Sequence, residues 1–550
     1  MPVSPAPDPY EPRPSVWQRH PQLGWTLGVF AATAFLTFAA FPPLNTGEAA
    51  YVLALPAALW AYRRPPFRLF AWTVGASQVV AWTALLGWLH HVTWVGLLLL
   101  GPFVGGLASL WFLGLGWAIP RIAGQRVPFR ILGLLALAAL WVLGEWLRAV
   151  LFGGFPWLPL AASQWQKPFL LQMAAYGGAW TVSFVLISFN LGAAAYAHRA
   201  FFEGATGLRK RSPEFNVALL LLMGSTFPFL GDIFGQQRHR LARVALVQPY
   251  IPQEEKWDER RSQAVIQTIE AVTLDANRSG TPDVIVWPEA VIPWPLYRDP
   301  QVERWLDTIA RRTGKPLLLG TVYTRPSADP EGGWFNGAVV VEPVAGLQAE
   351  PYAKRHLVPF GEYVPWRPGL GWISKFAPIG GDFERGDDPR PLGVPVGPER
   401  VPVGVLICYE DIFPGLARES AQAGAEMLAV LTNNAWYGEG GAAYQHAAHS
   451  VLRAVETRRP VIRCGNGGWS GWIDEFGYTR ATLKDEHGSV YFRGAETVTV
   501  TRDLRWHGRQ SFYVEHGDWF LLVCAGLAFV GYFTVLVLRP PPVREGENAY

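Results

Sequence analysis

Three side chains in the second half of the chain are of the types that acyl chemistry uses: the thiol of Cys408, the carboxyl of Glu289 and the amine of Lys354. Cys408 closes an apolar run, 402–408, and is followed by Tyr409-Glu410-Asp411-Ile412-Phe413-Pro414. That pattern predicts a strand-to-helix turn, which presents its side chain at the carboxyl edge of a sheet. A helix N-terminus there favours a thiolate. The competing reading, an inert thiol buried at a strand end, is the stronger one on local sequence alone. Glu289 ends another apolar run, in Val286-Trp287-Pro288-Glu289. A carboxylate so close to a hydrophobic run is costly unless paired, which suits a general base; a solvated loop acid is the plainer alternative. Lys354 stands in Tyr352-Ala353-Lys354-Arg355-His356. It can hold a developing oxyanion and lower a neighbouring thiol's pKa, or be an ordinary surface base. Together the three fall in the order Glu, Lys, Cys, each at or near a strand end.

The remaining chemistry-bearing residues argue for less. With only Cys408, Cys464 and Cys524 in the chain there is no disulfide framework, and no spacing suggests zinc. Cys524 lies in an apolar run and reads as a small core residue. A Cys408–Cys464 disulfide would consume the candidate nucleophile and is not expected. His446 and His449 are three apart on a predicted helix but lack a third ligand, so they read as structural and no metal is expected. Arg453, Glu456 and Arg459 predict a charged helix face or network. A net charge of +3 and the absence of a basic stripe set nucleic-acid binding aside.

The elements that must position these residues fall into two kinds. Charged residues make up 17% of the chain, against roughly 25% in soluble domains, and the deficit lies in 23–238 and 518–538. Eight apolar runs are readable, at about 24–42, 48–62, 67–88, 93–119, 129–150, 170–197, 215–233 and 518–538, and a membrane span needs roughly 20 residues. No cleavable signal peptide is evident. Alternate loops carry Arg13 and Arg19; Arg63, Arg64 and Arg68; Arg121, Arg126 and Arg130; Arg199, Arg209, Lys210 and Arg211; and Arg539 and Arg544. The intervening short loops hold only Lys167. Basic loops stay cytoplasmic, which puts both termini inside and the segment between the seventh and eighth runs outside. Residues 1–22 and 539–550 are then cytoplasmic tails, 23–238 a seven-helix membrane domain and 517–538 a last transmembrane helix. A transporter would carry more ionisable groups at membrane depth; Glu145 and Arg148 read instead as a local ion pair, and Asp232 sits near an outer end. The stretch from Gly153 to 168 reads as an interfacial arm. Within 239–512, strands are expected at 243–248, 283–287, 316–323, 336–342, 402–408 and 426–432. Helices are expected at 259–277, 301–313, 413–423 and 443–458. That alternation predicts an α/β domain with a buried sheet.

Longer strings surround the three sites. They include Glu145-Trp146-Leu147-Arg148, Gly154-Phe155-Pro156-Trp157, Gln248-Pro249 with Ile251-Pro252-Gln253 and Trp257, and Trp287-Pro288-Glu289. Further along stand Leu357-Val358-Pro359-Phe360-Gly361-Glu362-Tyr363-Val364-Pro365, Cys408-Tyr409-Glu410, Leu431-Thr432-Asn433 with Ala435-Trp436-Tyr437-Gly438, and Gln445-His446 with Arg453-Ala454, Glu456 and Arg459-Pro460. In these the chain resembles the nitrilase (carbon–nitrogen hydrolase) superfamily, whose Glu-Lys-Cys triad sits on an αββα sandwich. Within it, the chain is similar to the apolipoprotein N-acyltransferases of the bacterial cytoplasmic membrane, over nearly its whole length. The resemblance implies a monomer of seven plus one helices with an extracytoplasmic catalytic domain and no cofactor. It implies that Cys408 attacks the sn-1 ester of a phospholipid donor and that the resulting thioester passes to the amine of an S-diacylglyceryl cysteine on an apolipoprotein acceptor. Glu289 would be the base and Lys354 the oxyanion holder. It makes Glu362 a second essential carboxylate, Tyr409 and Glu410 supports of the nucleophile, and Trp257 and Trp436 substrate-binding positions. A membrane-tethered amidase acting on a small C–N substrate is the alternative on the same triad. The chain departs from the family at Asn434, where Asp is usual, at Tyr250, where Asn is common, and in the Gly-rich stretch 464–472. The segment 366–376, with Trp366, Leu370, Trp372, Ile373 and Phe376, reads as an arm dipping toward lipid.

Overall fold

The computed structural model describes residues 21–203, 211–256, 258, 260–292, 294–297, 300–324, 333–370 and 383–538. The apolar runs are rich in Leu and Ala, strong helix formers, and most fold as helices. Among the described residues, five are long and apolar enough to cross a membrane by length and composition, at Gln22–Ala39, Trp94–Ile122, Val127–Gly153, Ala179–Phe201 and Trp519–Val537. The helix Phe67–Leu85 packs between the first two of these in sequence.

Three runs differ from expectation. The run 48–62 folds as a 3-10 turn, Gly47–Tyr51, and an eight-residue helix, Leu55–Tyr62, too short to span. The run 215–233 divides into Pro213–Ser225 and Phe227–Ile233, because Pro228 supplies no N–H and its ring crowds the preceding turn. The run 170–197 opens with two single turns, Pro168–Leu171 and Ala174–Gly177, before Gly178 at φ +70° redirects the chain into the long helix. Nor do Glu145 and Arg148 serve mainly each other. Glu145 Oε1 accepts from Trp141 Nε1 at 2.8 Å and from the Leu160 amide at 2.6 Å, and Arg148 donates to the Leu158 carbonyl at 3.3 Å. They hold the Pro/Trp-rich stretch against its parent helix.

The α/β domain contains two sheets. One runs β13 (Gly494–Asp503), β1 (Arg238–Gln248), β2 (Val284–Trp287), β3 (Leu317–Thr324), β4 (Trp334–Glu342) and β5 (Gly346–Leu347), with β6 (Tyr352–Ala353) also on β4. The other runs β12 (Thr479–Thr482), β11 (Gly471–Ile473), β10 (Val461–Gly465), β9 (Met427–Thr432), β8 (Glu399–Ile407) and β7 (Leu392–Val396). The centres are parallel, β1–β2–β3 and β8–β9–β10. Alternation along each strand divides the side chains between two layers. Val244 and Leu246 of β1 meet Val403, Val405, Ala429 and Leu431 of the facing sheet. Ala245 and Val247 face the helices Ser262–Gly280 and Pro300–Thr313 through Val265, Ile269, Leu306 and Ile309. On the far side, Leu406, Leu428 and Val430 meet the helices Pro414–Gln422 and Ala442–Thr457. The architecture is an αββα sandwich.

The second helical layer has no solvent face of the usual kind. Its core runs on without a break into Trp157, Leu160, Leu170 and the apolar helices. Gln445 fastens the two parts: its Oε1 accepts from Trp157 Nε1 at 2.8 Å and Trp88 Nε1 at 3.1 Å, while its Nε2 donates to the carbonyls of Pro42 at 2.8 Å and Leu85 at 3.0 Å.

Candidate active site

Each candidate residue stands at or just past a strand end: Cys408 and Glu289 after the central strands β8 and β2, Lys354 after the two-residue β6 that pairs with β4. Cys408 follows β8 and takes φ +50°, a strained value for a side-chain-bearing residue that throws the thiol out of the strand line. Glu410 secures this turn. Its Oε2 accepts from the Ile407 amide at 2.7 Å and the Tyr352 hydroxyl at 2.8 Å, and its Oε1 from the amides of Arg355 at 2.6 Å and His356 at 3.1 Å. One carboxylate thereby ties the Cys408 turn to the segment that carries Lys354. Tyr409 reaches the other way, donating to the Gly154 carbonyl at 3.0 Å.

Glu289 lies two residues beyond β2, pressed against β3 at Gly320. A Cβ on Gly320 would come within 2.6 Å of Glu289 Cα and 2.7 Å of the Pro288 carbonyl. Asn336, on β4, bridges two acids, donating from Nδ2 to Glu289 Oε1 at 2.9 Å and to Glu362 Oε1 at 2.8 Å. Lys354 Nζ donates to Glu362 Oε1 at 2.8 Å and stands 3.6 Å from Glu289 Oε1. Glu362 is completed by the Val358 amide, which donates to Oε2 at 2.8 Å. Lys354 and Arg355 are buried at 1% and 2% exposure, so the surface-base reading of that cationic run does not hold. Arg355 is consumed by Glu419, the Leu416 carbonyl and Ser420.

Burial pushes the Cys408 thiol up to about 12, with Glu289 adding to the rise; Lys354, the Thr432 hydroxyl and the Asn433 amide oppose it. The thiolate that a helix N-terminus would favour is therefore not the resting form, because the turn 408–412 is a buried 3-10 turn and desolvation outweighs its dipole. Burial pulls Lys354 down, but the carboxylates of Glu362 and Glu289 outweigh it and leave the ammonium above its ordinary value. The cluster can accept a proton from a thiol, and it keeps a cation beside the thiol.

Thr432 Oγ1, at the end of β9, donates to Cys408 Sγ at 3.4 Å. His446 lies under Cys408, with Nε2 at 3.1 Å from the Cys408 carbonyl and 2.8 Å from Asp411 Oδ1, and Nδ1 at 3.1 Å from Asn434 Oδ1. Asp411 also receives Arg463 at 2.7 Å and Ser450 at 2.6 Å. The histidines are thus held by protein groups; His449 Nε2 accepts from the Leu158 amide at 3.3 Å. Cys464 points to the carbonyls of Val247 and Val286, each at 3.3 Å, and both it and Cys408 are free thiols. The three departures meet one another. The Tyr250 ring lies over Gly467, where a Cβ would come within 2.7 Å of it, and Asn434 Cβ lies 2.9 Å from the corresponding point on Gly468. Trp436 is half-buried on the 3-10 turn Asn434–Tyr437. Trp257 lies outside the described residues, as do 371–376 of the expected arm; Trp366, at its start, is 74% exposed.

Sequence reasoning missed Asn336 and Lys256. Asn336 was hidden in a strand, although a polar residue opening an otherwise apolar run is a signal that its side chain faces a site. Lys256 belongs to the charged string Gln253-Glu254-Glu255-Lys256 and reads as surface, yet it is 1% exposed and donates to the Glu289 carbonyl at 3.2 Å. Burial pulls its ammonium down to about 8 against the opposing influence of Glu289 and Cys408.

A Glu, a Lys and a Cys lie together at strand ends of an αββα sandwich, and residues 243–504 match the carbon–nitrogen hydrolase family. Residues 33–192 match the apolipoprotein N-acyltransferase N-terminal domain. The apolipoprotein N-acyltransferase of Geobacter metallireducens is 30% identical over 503 residues, covering 89% of this chain and 91% of the relative. Those of Chlorobaculum tepidum and Brucella melitensis are 28% and 31% identical, each over 84% of this chain and over 92% and 88% of their own length. The chain belongs to the apolipoprotein N-acyltransferase family. Among solved structures it is similar to a Saccharomyces cerevisiae protein of branch 10 of the nitrilase superfamily, at 19% identity and TM-score 0.36, over 51% of this chain and 95% of that one.

Proposed function

We propose that this enzyme moves a fatty acyl chain from the sn-1 ester of a membrane phospholipid, through a thioester on Cys408, to the N-terminal amine of an S-diacylglyceryl cysteine on an apolipoprotein. One observation carries the reading beyond family membership. The nucleophile turn is bound directly to the apolar helical part, Tyr409 Oη to the Gly154 carbonyl at 3.0 Å. A thiol so placed suits substrates that are themselves lipid-anchored. A small soluble amide gives no reason for it.

The chemistry follows from the cluster. Because Cys408 rests as a thiol, its proton passes to Glu289 as sulfur attacks the ester carbonyl. Lys354, kept cationic by its two carboxylates, neutralises the oxyanion that forms. Collapse expels the lysophospholipid, which takes the proton back from Glu289. The lipoprotein amine then attacks the thioester and gives its proton to Glu289, and the departing sulfur is reprotonated. Asn336 and Glu362 hold the base and the lysine in register. In this reading Trp257 and Trp436 are substrate-binding residues, and the exposed Trp366 meets lipid.

The topology that accompanies it has a seven-helix membrane domain at 23–238, a last span at 517–538, both termini cytoplasmic, and a catalytic domain at 239–512 on the outer face of the cytoplasmic membrane of a bacterium. The enzyme works as a monomer.

The test is a two-stage incubation. Purified enzyme is given phospholipid with a labelled sn-1 chain, then a diacylated lipopeptide. Label is expected on the Cys408 peptide, released by neutral hydroxylamine, and then on the lipopeptide amine. Cys408→Ala abolishes both. Label passing to water with no peptide product would sink the transfer reading.

A further inference from the structure

Thr432 ends β9 fully buried, with its backbone fixed by the Asn466 amide, which donates to its carbonyl at 3.0 Å. Its hydroxyl oxygen lies between two groups, Cys408 Sγ at 3.4 Å and Asn434 Oδ1 at 3.2 Å. One hydroxyl hydrogen cannot serve both acceptors fully. Asn434 Oδ1 also stands 3.1 Å from His446 Nδ1, while Nδ2 is buried with no hydrogen-bond partner among the described residues. The state of His446 decides which end of the amide belongs there. His446 Nε2 is 3.1 Å from the Cys408 carbonyl and 2.8 Å from Asp411 Oδ1, both acceptors, so Nε2 carries the proton. Asp411 is already paired with Arg463 at 2.7 Å, and burial beside that guanidinium pulls the imidazolium below its ordinary range. Nδ1 of the neutral ring is then a bare acceptor. An amide oxygen against a bare ring nitrogen, with both amide hydrogens stranded in the interior, is the costlier of the two orientations open to an asparagine. Half a turn about the Cβ–Cγ bond exchanges Oδ1 and Nδ2 nearly in place and gives both N–H groups an acceptor, His446 Nδ1 and Thr432 Oγ1. What is left over is a carbonyl oxygen, which tolerates burial without a partner better than an N–H does.

We infer that the Thr432 hydroxyl is a catalytic hydrogen-bond donor to the Cys408 sulfur, and that Asn434 is its positioning residue, with Nδ2 occupying the Thr432 oxygen so that the hydroxyl hydrogen is committed to sulfur. The bonds then run in one sense. His446 Nε2–H donates to Asp411, Asn434 Nδ2–H to His446 Nδ1 and to Thr432 Oγ1, and Thr432 Oγ1–H to Cys408 Sγ. No proton moves along this chain. The proton that leaves sulfur goes to Glu289, and Thr432 keeps its own throughout. As thiol or thioester, sulfur carries no charge and the last bond is weak. When sulfur attacks the ester carbonyl, and again when the amine displaces it, sulfur gains negative charge and the bond strengthens. A donor that strengthens only as charge appears lowers the barrier to both half-reactions.

The inference rests on Cys408 as the nucleophile and deepens the acyl-transfer reading. Its test is independent of the acyl donor's identity. Full-length wild type, Thr432→Val, Asn434→Leu and the double variant are alkylated with iodoacetamide at about pH 9, below the thiol midpoint, where the rate tracks the thiolate fraction. The Cys408 peptide is followed by mass spectrometry. Thr432→Val keeps the shape of the side chain and removes the hydroxyl. It is expected to slow alkylation about tenfold, the equivalent of one pKa unit, and to slow thioester formation by a similar factor. Thr432→Ala and Thr432→Ser form a second pair that differs by the hydroxyl alone, and the serine variant should be the faster of the two in both assays. Asn434→Leu slows alkylation while Thr432 is present and adds nothing in the Thr432→Val background, because it acts through that hydroxyl. Wild-type alkylation in Thr432→Val, or equal rates in the alanine and serine variants, overturns the donor role. An Asn434→Leu effect that persists undiminished in the double variant overturns the positioning role. Slowed alkylation in Thr432→Val with no acyl transfer in any protein keeps the hydroxyl's role and rejects the substrate reading instead.

Discussion

Cys408 is a thiol at rest, and that sets how its reactivity varies with pH. Its folded pKa is raised above the ordinary value, to about 12, so the protonated form persists where a free cysteine would have ionised. Its alkylation rate should keep climbing past about pH 9 rather than levelling there, and a pH-resolved alkylation series checks this. Lys354 opposes the rise. Lys354→Met is expected to raise the thiol further and to cut thioester formation by about 10²–10³-fold, the usual loss for an oxyanion group, as read from thioester accumulation. Asp411 titrates in the opposite sense. Burial alone would raise its carboxyl, but His446 and Arg463 hold it well below the usual carboxylate range. A depressed folded pKa gives stability that is present above the unfolded value and lost as pH falls toward the folded one. The unfolding temperature should therefore drop on acidification below about pH 4. Asp411→Asn should remove that part of the acid sensitivity while costing about 3–5 kcal/mol at neutral pH, because Arg463 is left buried and unpaired. At this scale the sequence was readable only in company. The Glu-Lys-Cys order and its flanking strings pointed to three residues that the fold brings near one another. Burial was hidden: Lys354 and Lys256 sit in strings that read as surface, and only tertiary packing makes them interior.

At the scale of the element, the strands do the positioning, and the contact between β3 and the loop after β2 leaves no slack. Gly320→Ala forces a Cβ to within 2.6 Å of Glu289 Cα. The expected result is a large loss of thioester formation with a modest fall in unfolding temperature, since the clash moves the base more than it opens the core. The six expected strands correspond to β1–β4, β8 and β9, because each is an apolar run of strand length bounded by turn residues. β5–β7 and β10–β13 were not legible. β10 carries Arg463 in its middle, β11 has three residues, and β13 reads as a polar Thr/Glu string. β13 is a strand because it pairs antiparallel with β1 along ten residues, a long-range partner that no local window contains. The expected eight runs also overlooked where helices break. Gly178 and Pro228 were visible as residues, and their consequences follow from backbone geometry alone.

Over the whole molecule, the α/β domain and the helical part share one core, from Val451 and Leu452 to Trp157 and Leu170. Residues 239–512 produced alone should therefore expose a wide apolar face and bind a hydrophobic dye or aggregate, unlike the full chain in detergent. Gln445→Leu in the full chain removes the partner of two indoles and two carbonyls. At about 1–3 kcal/mol for each buried polar group left unsatisfied, it should lower the unfolding temperature more than any surface change in either part. The sequence pointed to two parts joined by chain connectivity; their fusion was not legible, because Gln445, Trp88 and Trp157 lie 69 to 357 residues apart and carry no pattern. The bond from Tyr409 to Gly154 gives this fusion a further meaning. Gly154 belongs to the stretch anchored by Glu145 and Arg148 at one helix end, so strain along that helix reaches the Cys408 turn through one hydrogen bond. In the proposed bilayer setting, hydrocarbon thickness becomes a variable of the reaction itself. Vesicles of shorter or longer acyl chains should change the acylation rate at equal donor concentration, and Tyr409→Phe should blunt that dependence.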